Sequence, residues 1–430
     1  LVQQPVKEEE KMKKIKSIVI IALVIIVGSP LFAVDYSPTN TVYKQAAEPF
    51  VGTSVRMLGM GGAGLGVKGY HDSFLYNPAN LVRSGFKFSF PSVTVTAYNP
   101  KAILESGAIE EFEKGTDAGM VAGAQKFLNV FEIGPGDVLT TDVSTTITIG
   151  SFGLSLQAQE RLMSFTPPAD PLGTKLVAQV TTAVTAGFGF RIPIAESISI
   201  DLGISAQAVY KAYLAEMSAS SITDMIGDDG SDFAAEFLDK TPLMAGYALP
   251  LSAGINFNFP FGLTLSTVAK NINGNYTMST YNSAYDWAEE VLGQRLSEDD
   301  SSPGSSTIET DWTIESPWRL DAGLTWKPNI GSLIRPIIAV DVVDVMAMSG
   351  KTGDALTRAF FEQTRLGASV RLLSLLDFRY GLNKGYHSIG VGFDLLIFHI
   401  DAAYYTQEYG SGIGEKSIDA LSLRFSLFSR

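Results

Sequence analysis

The chain has 430 residues, no cysteine, 32 basic against 45 acidic side chains and a net charge of −13. The lack of thiols excludes a disulfide framework, a thiolate metal site and a lipid-bearing N-terminal cysteine, and the acidic balance argues against a nucleic-acid partner, which needs a basic face to neutralise phosphate. Only 18% of residues are charged and mean hydropathy is +0.16, drier than an ordinary soluble domain, yet past residue 33 no apolar run approaches the ~18 residues of a spanning helix.

Residues 1–11, with three glutamates ahead of Met12, read as sequence upstream of the true start. Residues 12–33 read as a secretory signal peptide: Met12, Lys13, Lys14 and Lys16 precede an apolar stretch over 15–27, and residues 28–33 lead to a cut after Ala33. Leu31 is larger than the residue favoured three places before such a cut, which leaves an uncleaved anchor as the alternative.

Residues 52–85 hold the one dense motif: Ser54 to Gly66 contains Gly59, Gly61, Gly62, Gly64 and Gly66, and Asn77-Pro78-Ala79 follows. Gly59, Gly61 and Gly64 satisfy the spacing G-x-G-x-x-G. A dinucleotide site would also need a hydrophobic strand before it, a helix after it and an acid about 20 residues on, and none is clear. The glycines instead suit close backbone packing and positive φ, and Asn77-Pro78 suits a chain reversal. Residues 34–85 are therefore expected to form a hatch or plug ahead of the first strand.

From there the chain alternates. Between Ser197 and Lys211, Ile198, Ile200, Leu202, Ile204, Ala206, Ala208 and Tyr210 share one parity, against Ser199, Asp201, Gly203, Ser205, Gln207 and Lys211 on the other. Such a strand has one oily and one wet face, and about 9 to 11 tilted residues of it cross a bilayer. Comparable runs place strands at 86–98, 144–150, 152–161, 175–190, 197–212, 247–259, 262–271, 317–327, 335–345, 364–374, 377–383, 387–395, 397–406 and 418–428. The fold class expected is all-β: an antiparallel transmembrane barrel of about 14 strands over residues 86–430. Connections alternate between tight links, at Gly150-Ser151, Pro193 and Pro260-Phe261, and long ones, as a barrel with turns on one side and loops on the other requires. The long loops are acidic, with Asp224, Asp228, Asp229 and Asp232 in one and Glu289, Glu290, Glu298 and Asp299 in another. Asp228 to Asp232 lacks the alternating ligands and turn glycine of a calcium loop, so a solvated outer face is expected, with weak divalent bridging as the alternative.

Little catalytic chemistry is legible. His71, His387 and His399 lie far apart in sequence, with no G-x-S-x-G or H-E-x-x-H context. His399 and Asp401 share a face of one strand and Arg424 lies on the wet parity of the last, so the three are expected to meet in the lumen, as wall-binding groups or with Arg424 contacting a ligand carboxylate. Lys211, Lys270 and Asp394 also fall on wet faces. Trp318, Trp326, Tyr380, Tyr386, Tyr404, Tyr405, Phe425 and Phe428 are expected in interfacial girdles, and Phe428 also looks like the signal read by barrel-assembly machinery. No cofactor, metal or nucleic acid is expected.

At Gly59-Met60-Gly61-Gly62-Ala63 and Asn77-Pro78-Ala79 the chain resembles the FadL-type outer-membrane transporters of hydrophobic compounds, whose hatch carries an Asn-Pro-Ala motif. More loosely, residues 365–386 and 404–408 resemble the FadL-like proteins of spirochaetes. The chain departs from the family's pattern ahead of Asn77, where Lys68-Gly69-Tyr70-His71-Asp72 stands in place of acids and alanines. The resemblance implies a fourteen-stranded barrel in the bacterial outer membrane, without enzymatic activity, taking up hydrophobic molecules of the long-chain fatty-acid or aromatic-hydrocarbon class. Asn77, Pro78, Ala79, Gly59, Gly61, Gly62 and Arg424 are the residues expected to bind ligand or gate, and the partners are membrane lipid and a hydrophobic ligand, on a monomer. The alternatives are a surface-exposed adhesin or secretion-associated barrel and a general diffusion porin.

Overall fold

The computed structural model describes residues 49–130, 136–165, 175–214, 217–218, 242–292, 312–331, 333–395, 397–410 and 412–428. The signal segment, Asp224 to Asp232 and most of the second acidic loop lie outside the described residues.

Eighteen hydrogen-bonded segments form one antiparallel sheet that closes by pairing its first member with its last. Several continue one another across short interruptions, so the barrel has 14 staves. They are β1 (Lys87–Tyr98), β2 (Gly136–Ile149), β3 (Phe152–Phe165), β4 (Lys175–Ala195), β5 (Ile198–Leu214 and Met217–Ser218), β6 (Leu243–Ala248 and Leu251–Asn258) and β7 (Leu263–Ile272 and Tyr276–Tyr281). The second half comprises β8 (Trp312–Ile314 and Arg319–Trp326), β9 (Ile334–Val342), β10 (Thr364–Leu372), β11 (Leu376–Asn383), β12 (Tyr386–Leu395), β13 (Phe398–Glu408) and β14 (Ser417–Leu427).

The alternation acts as the sequence implied. Along β5, Asp201, Gly203, Val209, Lys211 and Tyr213 are buried inside, while Ile204, on the other parity, is 65% exposed. Phe188, Leu156, Leu324 and Leu423 extend this exposed apolar surface around the wall, which only a bilayer covers without cost. Closure removes free sheet edges, so every stave satisfies its backbone within the wall.

Tight turns at Gly150, Glu196, Phe261, Leu373 and Ile397 gather at one end, with the start of β1 and the end of β14. The opposite end carries the long connections, three helices after β1 (Pro100–Glu105, Ala108–Glu113 and Asp117–Asn129), one at Ala284–Leu292 and one at Gly353–Gln363.

Two expectations need correction. Staves β2 and β6 to β8 reach farther toward the loop end than the alternation suggested, and β6 breaks at Leu249-Pro250, β7 at 273–275 and β8 at 315–318. Pro250 cannot donate to a ladder; at the β8 break Asn271, at φ 60°, donates its side-chain amide to the Ser316 carbonyl at 2.7 Å. Tyr386 and Tyr405 are not girdle residues either: Tyr405 is buried inside, and the Tyr386 hydroxyl donates to Glu408 at 2.6 Å. Trp318, Trp326, Tyr380, Tyr404, Phe425 and Phe428 do face outward.

Candidate functional site

Residues 49–85 run inside the barrel. A short helix, Val55–Gly59, is followed by a reversal at Gly61 and Gly62, both at positive φ, then by the helix Ser73–Tyr76 and the 3-10 turn Pro78–Leu81. Asn77 caps that turn: its side-chain oxygen accepts the Ala79 N–H at 3.0 Å.

The segment is fixed to several staves at once. Against β5 and β6, Pro78 and Ala79 press on Gly203, where any Cβ would overlap the Pro78 carbonyl carbon. Here the Asn77 amide donates to Asn256 at 2.8 Å, and the Asn256 amide donates to Asn80 at 3.0 Å. Lys68 completes this wall by pairing with Asp201, which also accepts from Arg191. Against β11 and β12, Gly61 lies on Gly381, and a Cβ on Gly59 would come within 2.9 Å of the Gly390 Cα. Against β9, the Asp341 carboxylate accepts the N–H groups of Gly64 and Leu65 at 2.6 and 2.8 Å.

The fourth attachment is ionic. Asp401 of β13 accepts from Arg379 at 2.6 Å, Arg424 at 2.9 Å and His399 at 2.7 Å, and Arg424 reaches Asp72 of the segment at 3.9 Å. His399, Asp401 and Arg424 thus meet in the lumen. Asp72 also accepts from Ser54 at 2.6 Å and pairs with Arg56 at 3.6 Å. Burial alone would raise the Asp72 carboxyl; Arg56, His71 and Arg424 outweigh it and hold it below the usual carboxylate range. Neighbouring His71 is buried with neither ring nitrogen hydrogen-bonded, and burial lowers its pKa to about 4.

The residues singled out in the sequence therefore occupy separate attachments. Asn77, Pro78 and Ala79 lie at β5 and β6, Gly59 and Gly61 at β11 and β12, Gly62 beside Arg365, and Arg424 on β14. The structure brings them onto one segment and its wall, not into one pocket.

An apolar chamber lies nearer the loop end. Met163, Val177, Val209, Tyr213, Met244, Tyr276, Met278 and Ile314 form a buried inward cluster, and Phe50 packs against it. Beside Phe50 is a cavity of about 300 Å³, lined by Met57, Leu58, Tyr98 and Tyr405 together with the polar Asp137, Gln159, Arg161, Gln179 and Lys211. Lys211 sits 4.5 Å above the Tyr276 ring, and Arg161 is held by Asp137 at 2.5 Å. Sequence reasoning passed over this cluster, although a signal existed: Val209 and Tyr213 are apolar residues on the wet parity of β5. On the outer side of the same wall, Leu156, Val184, Ala208, Tyr247 and Leu249 line a groove of about 590 Å³.

No family model and no curated protein matches the chain. Among solved structures, the CymD monoaromatic hydrocarbon channel is similar at 12% identity and a TM-score of 0.45, covering 88% of this chain and 98% of its own. A Pseudomonas aeruginosa FadL homologue is similar at 11% identity and a TM-score of 0.39, covering 87% and 97%. The Pseudomonas putida toluene transporter TodX is similar at 10% identity and a TM-score of 0.42, covering 89% of this chain and 98% of its own.

Proposed function

We propose that the chain passes hydrophobic small molecules across the bacterial outer membrane, with residues 34–85 as the hatch. The observation that carries this reading is the apolar cluster around Phe50, on the inward parity that also carries buried charges such as Asp201, Asp321 and Arg379. A water-filled pore has no use for buried Met163, Met244 and Met278 in its lining, whereas an apolar guest gains about 25 cal/mol for each Å² it removes from water there. Methionines also adapt to guests of different shape. The adjoining cavity is at the lower bound of small-molecule sites, ~300 to 1,000 Å³, and Phe50 occupies the space a guest would take. The sequence resemblance favours long-chain fatty acids as the substrate class. Onward movement requires Asn77, Pro78, Ala79, Gly59, Gly61 and Gly62 to shift from their walls and Arg424 to release Asp72. The function assigned is transport without catalysis.

The test is binding of a fluorescent long-chain fatty acid to the purified chain in detergent. Saturable binding is expected, with higher capacity in Phe50→Ala and lower capacity in Tyr213→Ala. Absence of saturation in all three proteins overturns the reading, and steady ion conductance in planar bilayers in its place favours a diffusion pore.

A further inference from the structure

The short-turn mouth of the barrel carries a concentration of positive charge that the hatch and the apolar chamber do not use. Lys87 at the start of β1, Arg335 at the start of β9 and Arg371 near the end of β10 all lie on inward parities, and Lys327, just past β8, shares the parity of buried Thr325. Lys327 is within electrostatic reach of Arg335, Arg371, Lys87 and Arg56 together, and Lys87 is within reach of Arg371. All four therefore lie at the rim of one mouth.

Their neutralisation is incomplete. Arg371 pairs with Asp394, but Asp394 also serves His399, while Asp377 and Asp401 are taken by Arg379, with Arg424 sharing Asp401. Among the described residues no acidic side chain forms an ion pair with Lys87, Lys327 or Arg335. Arg335 and Arg371 moreover stand directly opposite one another in the β9–β10 register, an arrangement of like charges that destabilises a sheet. A chain of net charge −13 has acids in surplus, yet the two that reach this rim, Asp377 opposite Arg371 and Asp394 paired with it, both lie on the Arg371 side. Arg335 and Lys327 are also exposed, so an entering ion reaches them without displacing packed side chains.

We propose that Lys87, Lys327, Arg335 and Arg371 form an anion-binding ring at the short-turn mouth, which takes an oxyanion, either dissolved or as the head of an amphiphile. An oxyanion bridging Arg335 and Lys327 converts the repulsion into charge-assisted hydrogen bonds, with the Arg fork matched to two oxygens. The site goes beyond the transport reading and does not depend on the apolar chamber.

The test uses the full chain in a nonionic detergent at low salt, with inorganic phosphate, decanoate and decanol as probes. Calorimetric titration and the thermal midpoint are measured for the wild type, Arg335→Gln, Lys327→Gln/Arg335→Gln and, as a control at the opposite end, Lys101→Gln. Phosphate is expected to bind the wild type saturably and raise its midpoint, with binding weakened about tenfold for each cation removed and unchanged in Lys101→Gln. Without anion, Arg335→Gln is expected to melt higher than the wild type, because the repulsion is gone; a residue with a merely structural role would melt lower. Competition between phosphate and decanoate identifies a site for any oxyanion, and binding of decanoate alone, sensitive to the double variant, identifies one for amphiphile heads. If neither anion binds, if decanol competes equally, or if the double variant binds as the wild type does, the ring is not an anion site.

Discussion

The two halves of the lumen share one wall alternation but are filled in opposite ways. Toward the short turns, residues 52–85 meet the wall backbone to backbone at glycines and through buried ion pairs such as Asp72 to Arg424. Toward the loops the filling is side chain against side chain, with three methionines packed in the cluster against Phe50, which itself borders a cavity. Glycine contacts and shared carboxylates have one satisfactory geometry, because a displaced charge or carbonyl is left unpaired. Apolar side chains next to a cavity have many geometries of similar energy. The difference separates a half that sets position from a half that adapts to a guest.

The largest expected effect comes from the position-setting half. Gly203→Ala puts a methyl into the Pro78 carbonyl, so the Asn77-Pro78-Ala79 turn must leave its wall. Hydrogen exchange over residues 77–82 is expected to rise by orders of magnitude while the barrel strands stay protected, and unchanged exchange would show that the wall yields instead. Asp401→Asn follows: it leaves Arg379 and Arg424 without their shared anion, at an expected cost of about 3 kcal/mol in denaturant unfolding from detergent. A cost below ~1 kcal/mol would mean that the network is solvated.

Acid distinguishes the halves next. Because the pKa of His71 is lowered to about 4 in the folded protein, the unfolded chain takes up the proton first. The contribution is complete above pH ~6.5 and is lost as pH falls toward 4, on the order of 3 kcal/mol in all. His71→Phe is expected to flatten this part of the pH profile, and identical profiles would remove His71 from the account. The smallest effect is expected in the adaptable half: Phe50→Ala should lower the thermal midpoint by only a few degrees, since Phe50 is only partly buried and stands beside space that is already open. A large drop would show Phe50 to be a structural plug and would erase the contrast between the halves.

How far the sequence was legible follows the same division. Stave positions over β3 to β5 and β9 to β14 could be read because inside and outside alternate with period two, and the requirement is local. The upper parts of β6 to β8 were not legible: the expected strands began at 247, three residues before Pro250, and ended at 271, ahead of Asn273-Gly274-Asn275, and only pairing with neighbouring staves continues them past the breaks. Asn77 was legible as a turn former, but not its partner Asn256, 179 positions away. The apolar cluster draws Met163, Tyr213, Met244 and Tyr276 from four staves, one or two residues from each, too few to stand out in any one strand.

The sequence by itself determined the closed apolar-outside barrel, its alternation of turns and loops, and the glycine-rich segment ahead of it, because each rests on local periodicity, composition or turn chemistry. Only the tertiary structure decided which staves the segment meets, where Phe50 comes to lie and how Arg335 comes to face Arg371. Those depend on which residue stands opposite which in a closed sheet, and register is a property of the whole ring rather than of any one strand.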